Sequence, residues 1–228
     1  MALTPLGPRL QGKRVVLASA SPRRRDILRL TGVPFDVVPS HFLESLPKAS
    51  FPAPPDYVLE TAKQKALEVA SRLRGDPRPP DVVIGADTVV VLDGRILEKP
   101  KDKDDAIAML RSLSGHQHSI ITGVAVVRPR RGPASSDPEA DPEVTLFHEE
   151  TRVTFSPLSE PLLREYVECG EPMDKAGAYG LQGVGAMLAE RVEGDFLSAV
   201  GFPLNRFLRE AVALFPEVTS ETSGAESS

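Results

Sequence analysis

A single cysteine, Cys169, occurs in 228 residues, so no disulfide can form within the chain. No Cys/His cluster has the spacing of a zinc site. The chemistry expected of such a chain belongs to a reducing compartment, the cytoplasm. Long apolar runs are also missing. None approaches the ~20 residues that span a bilayer, and the longest, Val82 to Leu92, is cut by Gly85 and Asp87. The start, MALTPLGPRLQGKRVVLASAS, has no continuous apolar segment ahead of a cleavage-like site, so neither a membrane span nor a secretory signal is expected. An excess of positive charge is absent as well. Lys and Arg total 27 against 32 Asp and Glu, a formal charge of −5, and such a field repels nucleic-acid polymers. A phosphorylated ligand would have to be held by a local basic cluster.

Familiar nucleotide motifs fail in the same way. There is no G-x-x-x-x-G-K-[ST]. Gly183-Val184-Gly185 runs into Leu188 where a dinucleotide fingerprint needs a small residue. His116 and His118 would share a strand face without further ligands nearby, and Cys169 lies at a helix C-terminus, where the dipole opposes a thiolate.

What is present suffices for a packed domain: 41% hydrophobic and 26% charged residues. Short β-branched runs alternate with amphipathic stretches, an α/β signature. Strands are predicted at Arg14–Ala18, Phe35–Val38, His118–Val127, Val144–Phe155 and Met187–Val192. Val82–Ile84 and Thr88–Leu92 read as one buried strand interrupted at Gly85-Ala86-Asp87, with a hairpin return after Asp93-Gly94. Helices are predicted at Arg23–Leu30, Tyr57–Leu73, Asp104–Leu113, Glu160–Cys169 and Pro203–Phe215. The domain is drawn over 14–215, after an N-terminal extension, 1–13. Residues 128–143 (RPRRGPASSDPEADPE) read as a mobile surface insertion and 216–228 as a disordered polar tail.

Three places carry candidate chemistry. In Ser19-Ala20-Ser21-Pro22-Arg23-Arg24-Arg25, Ser21 suits an N-cap and Pro22 the first helical position. Three arginines then occupy a first turn whose dipole is already positive, each disfavoured by ~0.3–1 kcal/mol. A bound phosphate would reverse that cost, and a solvated basic patch partly paired with Asp26 is the other reading. Asp87 lies where a strand should be buried, so it must pair with a cation, bind a metal, or leave the sheet at an exposed bend. The small residues of Asp174–Gly183 let backbone approach a ligand beside Lys175 and Gln182. Lys63, Lys65, Glu44 and Glu98-Lys99-Pro100 taken singly read as surface charge, with Lys63 and Lys65 placed away from the apolar stripe of their helix.

Together, Ser19–Arg24, Gly85-Ala86-Asp87-Thr88, Leu97–Pro100, Ser114-Gly115-His116 with Thr122-Gly123, and Asp174–Gly183 resemble the linked motifs of the Maf family of nucleoside triphosphate pyrophosphatases. The resemblance spans about Arg14 to Phe215. More narrowly, the chain closely resembles the Maf-like N-terminal part of proteins that also carry a methyltransferase half. The resemblance implies an α/β fold related to the inosine triphosphate pyrophosphatases, with a mixed twisted sheet, flanking helices and a cleft between two lobes. It also implies a homodimer and hydrolysis of dTTP and UTP to the monophosphate and pyrophosphate. By position, Asp87 would be the proton acceptor, and Arg23, Thr88 and Gln182 would set specificity. Ser21, Arg24, Lys65, Lys99 and Lys175 would complete the substrate site. Asp87 and Glu44 would be the carboxylates for a divalent cation, Mg²⁺. The competing expectation is a nucleotide-binding module that does not turn its ligand over. A phosphosugar enzyme is a third.

Overall fold

Each β-branched run of the sequence becomes a strand in the computed structural model, which describes residues 6–130 and 141–216. In chain order the elements are α1 (Leu6–Arg9), β1 (Val15–Leu17), α2 (Pro22–Arg29), β2 (Asp36–Val37), α3 (Pro54–Arg72), β3 (Val82–Leu92) and β4 (Arg95–Leu97). There follow α4 (Lys103–Leu113), β5 (Gln117–Arg128), β6 (Glu143–Phe155), α5 (Glu160–Glu168), β7 (Ala189–Glu193), α6 (Phe196–Val200) and α7 (Leu204–Leu214). The sheet is mixed and seven-stranded, ordered β2-β1-β3-β5-β6-β7 with β4 beside β3. β1 is parallel to both of its neighbours, and the other pairs are antiparallel. This is the α/β architecture expected. Among the described residues, no helix is long and apolar enough to cross a membrane.

Alternate residues of β3 feed different cores. Val83 packs with Ala62, Ala66 and Val69 of α3 on one face, while Val82, Ile84 and Ala86 meet α2 and α7 on the other. The α3 layer lies unusually close to the sheet. A Cβ at Gly85 would stand 2.2 Å from the Ala62 carbonyl oxygen, and one at Gly123 2.9 Å from that of Val58. Only glycine permits this approach, which later decides where Lys65 reaches.

Several boundaries differ from the sequence prediction for physical reasons. β3 is not interrupted at Gly85–Asp87: its ladder to β5 continues through Asp87 opposite Gly123, so the backbone stays paired. The Asp93-Gly94 hairpin forms, with Leu92 opposite Arg95. β7 starts two residues later than Met187, because Val184–Leu188 coil into a 3-10 turn that seals Leu188 in the core. α6, capped by Asp195, is too short to show a helical period. Within 1–13, α1 contributes Leu6 to the core, and Leu10 follows it there. Arg9 donates to the carbonyls of Val212 and Phe215 at the end of α7. Arg128 ends β5 and Glu143 opens β6. Residues 131–140 of the insertion predicted over 128–143, and residues 217–228 of the tail predicted over 216–228, fall outside the described residues.

Candidate active site

One edge of β3 is shared by two partners. Val82–Ile84 pair with β1 and Val90–Leu92 with β4, which leaves the middle of that edge open. β1 turns away at Ala18, whose N–H donates to the Ile84 carbonyl at 2.8 Å, and its chain runs on into α2. Strands that part in this way make a crevice beyond a carboxyl end, where α/β folds bind ligands. Here the cleft measures about 600 Å³. All ten residues singled out from sequence line it: Ser21, Arg23, Arg24, Glu44, Lys65, Asp87, Thr88, Lys99, Lys175 and Gln182.

Asp87 sits in this gap, 6% exposed, and its carboxylate accepts from the Lys65 ammonium at 2.8 Å. Of the three environments open to it, pairing with a cation is the one found. The same ammonium lies 2.8 Å from Glu44. Burial pushes the Glu44 carboxyl up, but Lys65, with Lys99 and Arg24 further off, outweighs it and holds the group below the usual carboxylate range. Lys65 is a correction. It was placed off the apolar stripe, yet it shares a face with Val58, Ala62 and Val69 and is 8% exposed. Lys63 does lie off that face, paired with Glu60 at 3.3 Å.

On the opposite side of β3, the start of α2 converges on Thr88. Ser21 is the N-cap, its hydroxyl accepting from the Arg24 N–H, with Pro22 in the first turn. Arg24 donates from Nε to the Gly201 carbonyl (2.9 Å), from Nη1 to Ser19 Oγ (3.4 Å) and from Nη2 to Thr88 Oγ1 (3.0 Å). All three acceptors are neutral. Burial therefore lowers the pKa of its guanidinium, against the more distant pull of Asp87 and Glu44. A half-buried cation that among the described residues has no carboxylate in contact is a seat for an anion. The hydroxyls run in one direction. Thr122 Oγ1 spends its proton on the Ser198 carbonyl (2.8 Å), so it accepts from Thr88 Oγ1 at 2.9 Å. Arg23 reaches Asp174 across the cleft at 3.3 Å, while Arg25 and Arg29 turn to Asp26.

The far wall is the loop after α5. Lys175 donates to the Glu171 carbonyl and to Asp174 Oδ1, both at 2.6 Å. Burial raises the pKa of the Asp174 carboxyl, and Lys175 and Arg23 more than reverse this. Gln182 is exposed at the tip of the turn that follows.

Residues 14–213 match the family described as Maf-like protein. The chain belongs to this family. A Homo sapiens relative named probable bifunctional dTTP/UTP pyrophosphatase/methyltransferase protein is 59% identical over 216 residues, covering 94% of this chain and 34% of the relative. Relatives named dTTP/UTP pyrophosphatase from Geobacillus sp. and Bacillus anthracis are 42% and 39% identical, covering 89% and 91% of this chain and 98% of their own. The chain thus spans about a third of the human relative and nearly all of the bacterial ones.

The Maf-like cleft also uses Tyr57, Lys48, Ser198 and Gly201, which no motif pointed to. Glu98, which taken singly reads as surface charge, is held by two partners. Glu98 accepts from the Tyr57 hydroxyl (2.7 Å) and from the Lys48 ammonium (2.5 Å), and burial together with this carboxylate pushes the Tyr57 hydroxyl up. Lys48 thereby pins the segment that carries Glu44. Gly201 and Ser198 contribute only carbonyls, which no side-chain pattern could have revealed. His116 and His118 form no metal site: among the described residues there is no group of three or more His, Cys, Asp or Glu that could hold a metal. His118 is instead buried, bonded to Tyr179 Oη at 2.6 Å.

Proposed function

We propose that this Maf-like chain hydrolyses dTTP and UTP to the monophosphate and pyrophosphate. The observation that carries this reading is the pairing of Asp87 with Lys65 in the gap of the sheet, beside an arginine cluster in which Arg24, among the described residues, has no counter-ion in direct contact. Water attacks the α-phosphorus in line with the bridging oxygen to the β-phosphorus. Asp87 takes the proton that the water loses, and the bond to the bridging oxygen breaks. Lys65, held between two carboxylates, fixes the direction of the Asp87 carboxylate. Arg23, Arg24, Lys99 and Lys175 offset charge on the departing pyrophosphate. Gln182 presents both a donor and an acceptor to the edge of a pyrimidine.

The donor chemistry suits a divalent cation that arrives on the triphosphate, since Mg²⁺ takes one or two carboxylates and fills its remaining positions with phosphate and water oxygens. Asp87 and Glu44, already converging on one positive charge, are the residues that would hold it. When bound, the ion would draw negative charge from the phosphates. The reading includes a homodimer, supported by the exposed apolar side chains of Leu43, Val184 and Met187. It also places the protein in the cytoplasm, supported by its single cysteine.

Pyrophosphate release from a panel of triphosphates tests the reading. Asp87→Asn is expected to keep its circular dichroism and lose about 10³-fold in kcat. Nucleotides that raise the melting temperature of the wild-type protein without yielding product would instead make it a binding module. A monomer mass by light scattering would remove the dimer.

A further inference from the structure

Gln182 by itself cannot choose between uracil and cytosine. Uracil and thymine offer an acceptor beside a donor, cytosine offers the reverse, and an amide rotated by half a turn matches either. Which orientation the amide keeps is set by the groups it meets at the base edge, and those contacts are reproducible only if the main chain carrying Gln182 is fixed to a fraction of an ångström. Something behind the turn must hold it.

Glu171 occupies that position. Its Oε2 accepts from the Val184 N–H at 2.8 Å, and its Oε1 from the Gly185 N–H at 3.0 Å and from the Tyr166 hydroxyl at 2.9 Å. The Tyr166 oxygen accepts in turn from the Gly180 N–H at 3.2 Å. The carboxylate thus grips the turn directly after Gln182, at Val184 and Gly185, and before it, at Gly180, through the Tyr166 hydroxyl. The turn is shaped around it, since a Cβ at Gly183 would stand 2.2 Å from Glu171 Oε2. Burial pushes the Glu171 carboxyl up, but the two N–H groups and the Tyr166 hydroxyl overcome this and hold it below its ordinary value. The anion is the form the turn accommodates.

We propose that Glu171 is a positioning residue for base selectivity, acting through Gln182 rather than touching substrate. The inference rests on the dTTP/UTP reading above. It separates two functions of one loop: the Glu171 side chain serves the base, while its backbone carbonyl, which a substitution leaves in place, holds Lys175 for the phosphates. In Glu171→Gln one oxygen remains to accept, and the new amide N–H groups oppose the N–H groups of the turn.

The experiment measures kcat and KM for UTP and CTP, together with the affinity for inorganic pyrophosphate. In Glu171→Gln the ratio of kcat/KM for UTP over CTP is expected to fall about tenfold, through KM, with pyrophosphate affinity unchanged. Gln182→Ala should lower the ratio in the same way, and the double variant should be no less selective than Gln182→Ala alone. Should Glu171→Gln fail to fold, Tyr166→Phe, which removes one donor to the carboxylate, is expected to shift the ratio in the same direction. An unchanged ratio overturns the inference. So does a loss shared equally by both nucleotides, or full additivity in the double variant. A wild-type protein that releases no pyrophosphate from dTTP or UTP removes the functional reading instead. In that case the inference stands or falls on calorimetric affinities for the same two nucleotides.

Discussion

Lys65 carries two carboxylates with one ammonium, and both it and Asp87 are nearly removed from water. Removing the cation leaves Asp87 as an uncompensated buried charge, so Lys65→Met is expected to cost about 3 kcal/mol in urea unfolding, as well as most of the turnover. Restoring neutrality with Asp87→Asn in the same chain should return part of the stability and none of the activity. Arg23 has a different surrounding. It is partly exposed and pairs with the exposed Asp174 at 3.3 Å, so Arg23→Ala should leave stability nearly unchanged and raise KM for triphosphate about tenfold. An unchanged KM would remove Arg23 from the phosphate site. Arg23 and Arg24 were legible in the sequence because their placement violates a local rule, cations at a helix start, and Ser21 because it follows one, a serine at the N-cap. Lys65 was legible only through the resemblance to the family, since taken singly it reads as surface charge off the apolar stripe until its partners are known.

At the scale of elements, the contact between α3 and the sheet determines the site. Val58, Ala62 and Ala66 press onto β3 and β5 where Gly85 and Gly123 leave room, and this brings Lys65 to Asp87. Gly123→Ala should therefore push the helix outward, costing about 2 kcal/mol through overpacking. It should also lower kcat even though residue 123 has no catalytic group. A variant destabilised without loss of kcat would mean that the helix position is not what aligns Lys65. The sequence displayed Gly85 and Asp87 as an apparent break in a strand, because both are poor strand formers. The ladder to β5 overrode that preference. Strand centres and the long helices were readable from period alone, whereas α1 and α6 span too few residues to show one.

Over the whole molecule, pH gives a separate handle on packing. Burial pushes the His118 imidazole down to about 4, while in the unfolded chain it titrates near ~6.5. Between those values the unfolded state binds more protons. Stability held above pH 6.5 is therefore lost as pH falls towards 4, by about 3 kcal/mol in total. Urea midpoints between pH 7 and 4.5 check this, and His118→Gln should flatten the slope in that window. The lowered carboxyls of Glu44, Glu171 and Asp174 add a loss only at more acid pH, as those groups take up protons. The sequence by itself determined the α/β class, the residue types of the cleft and the family, because hydrophobic period and linked motifs are local properties of the chain. Tertiary structure alone decided that Lys65 faces inward, that Arg24 is half-buried among neutral oxygens, and that Glu171 stands behind Gln182. Each of these depends on which distant segments pack together, and one-dimensional spacing holds no record of that.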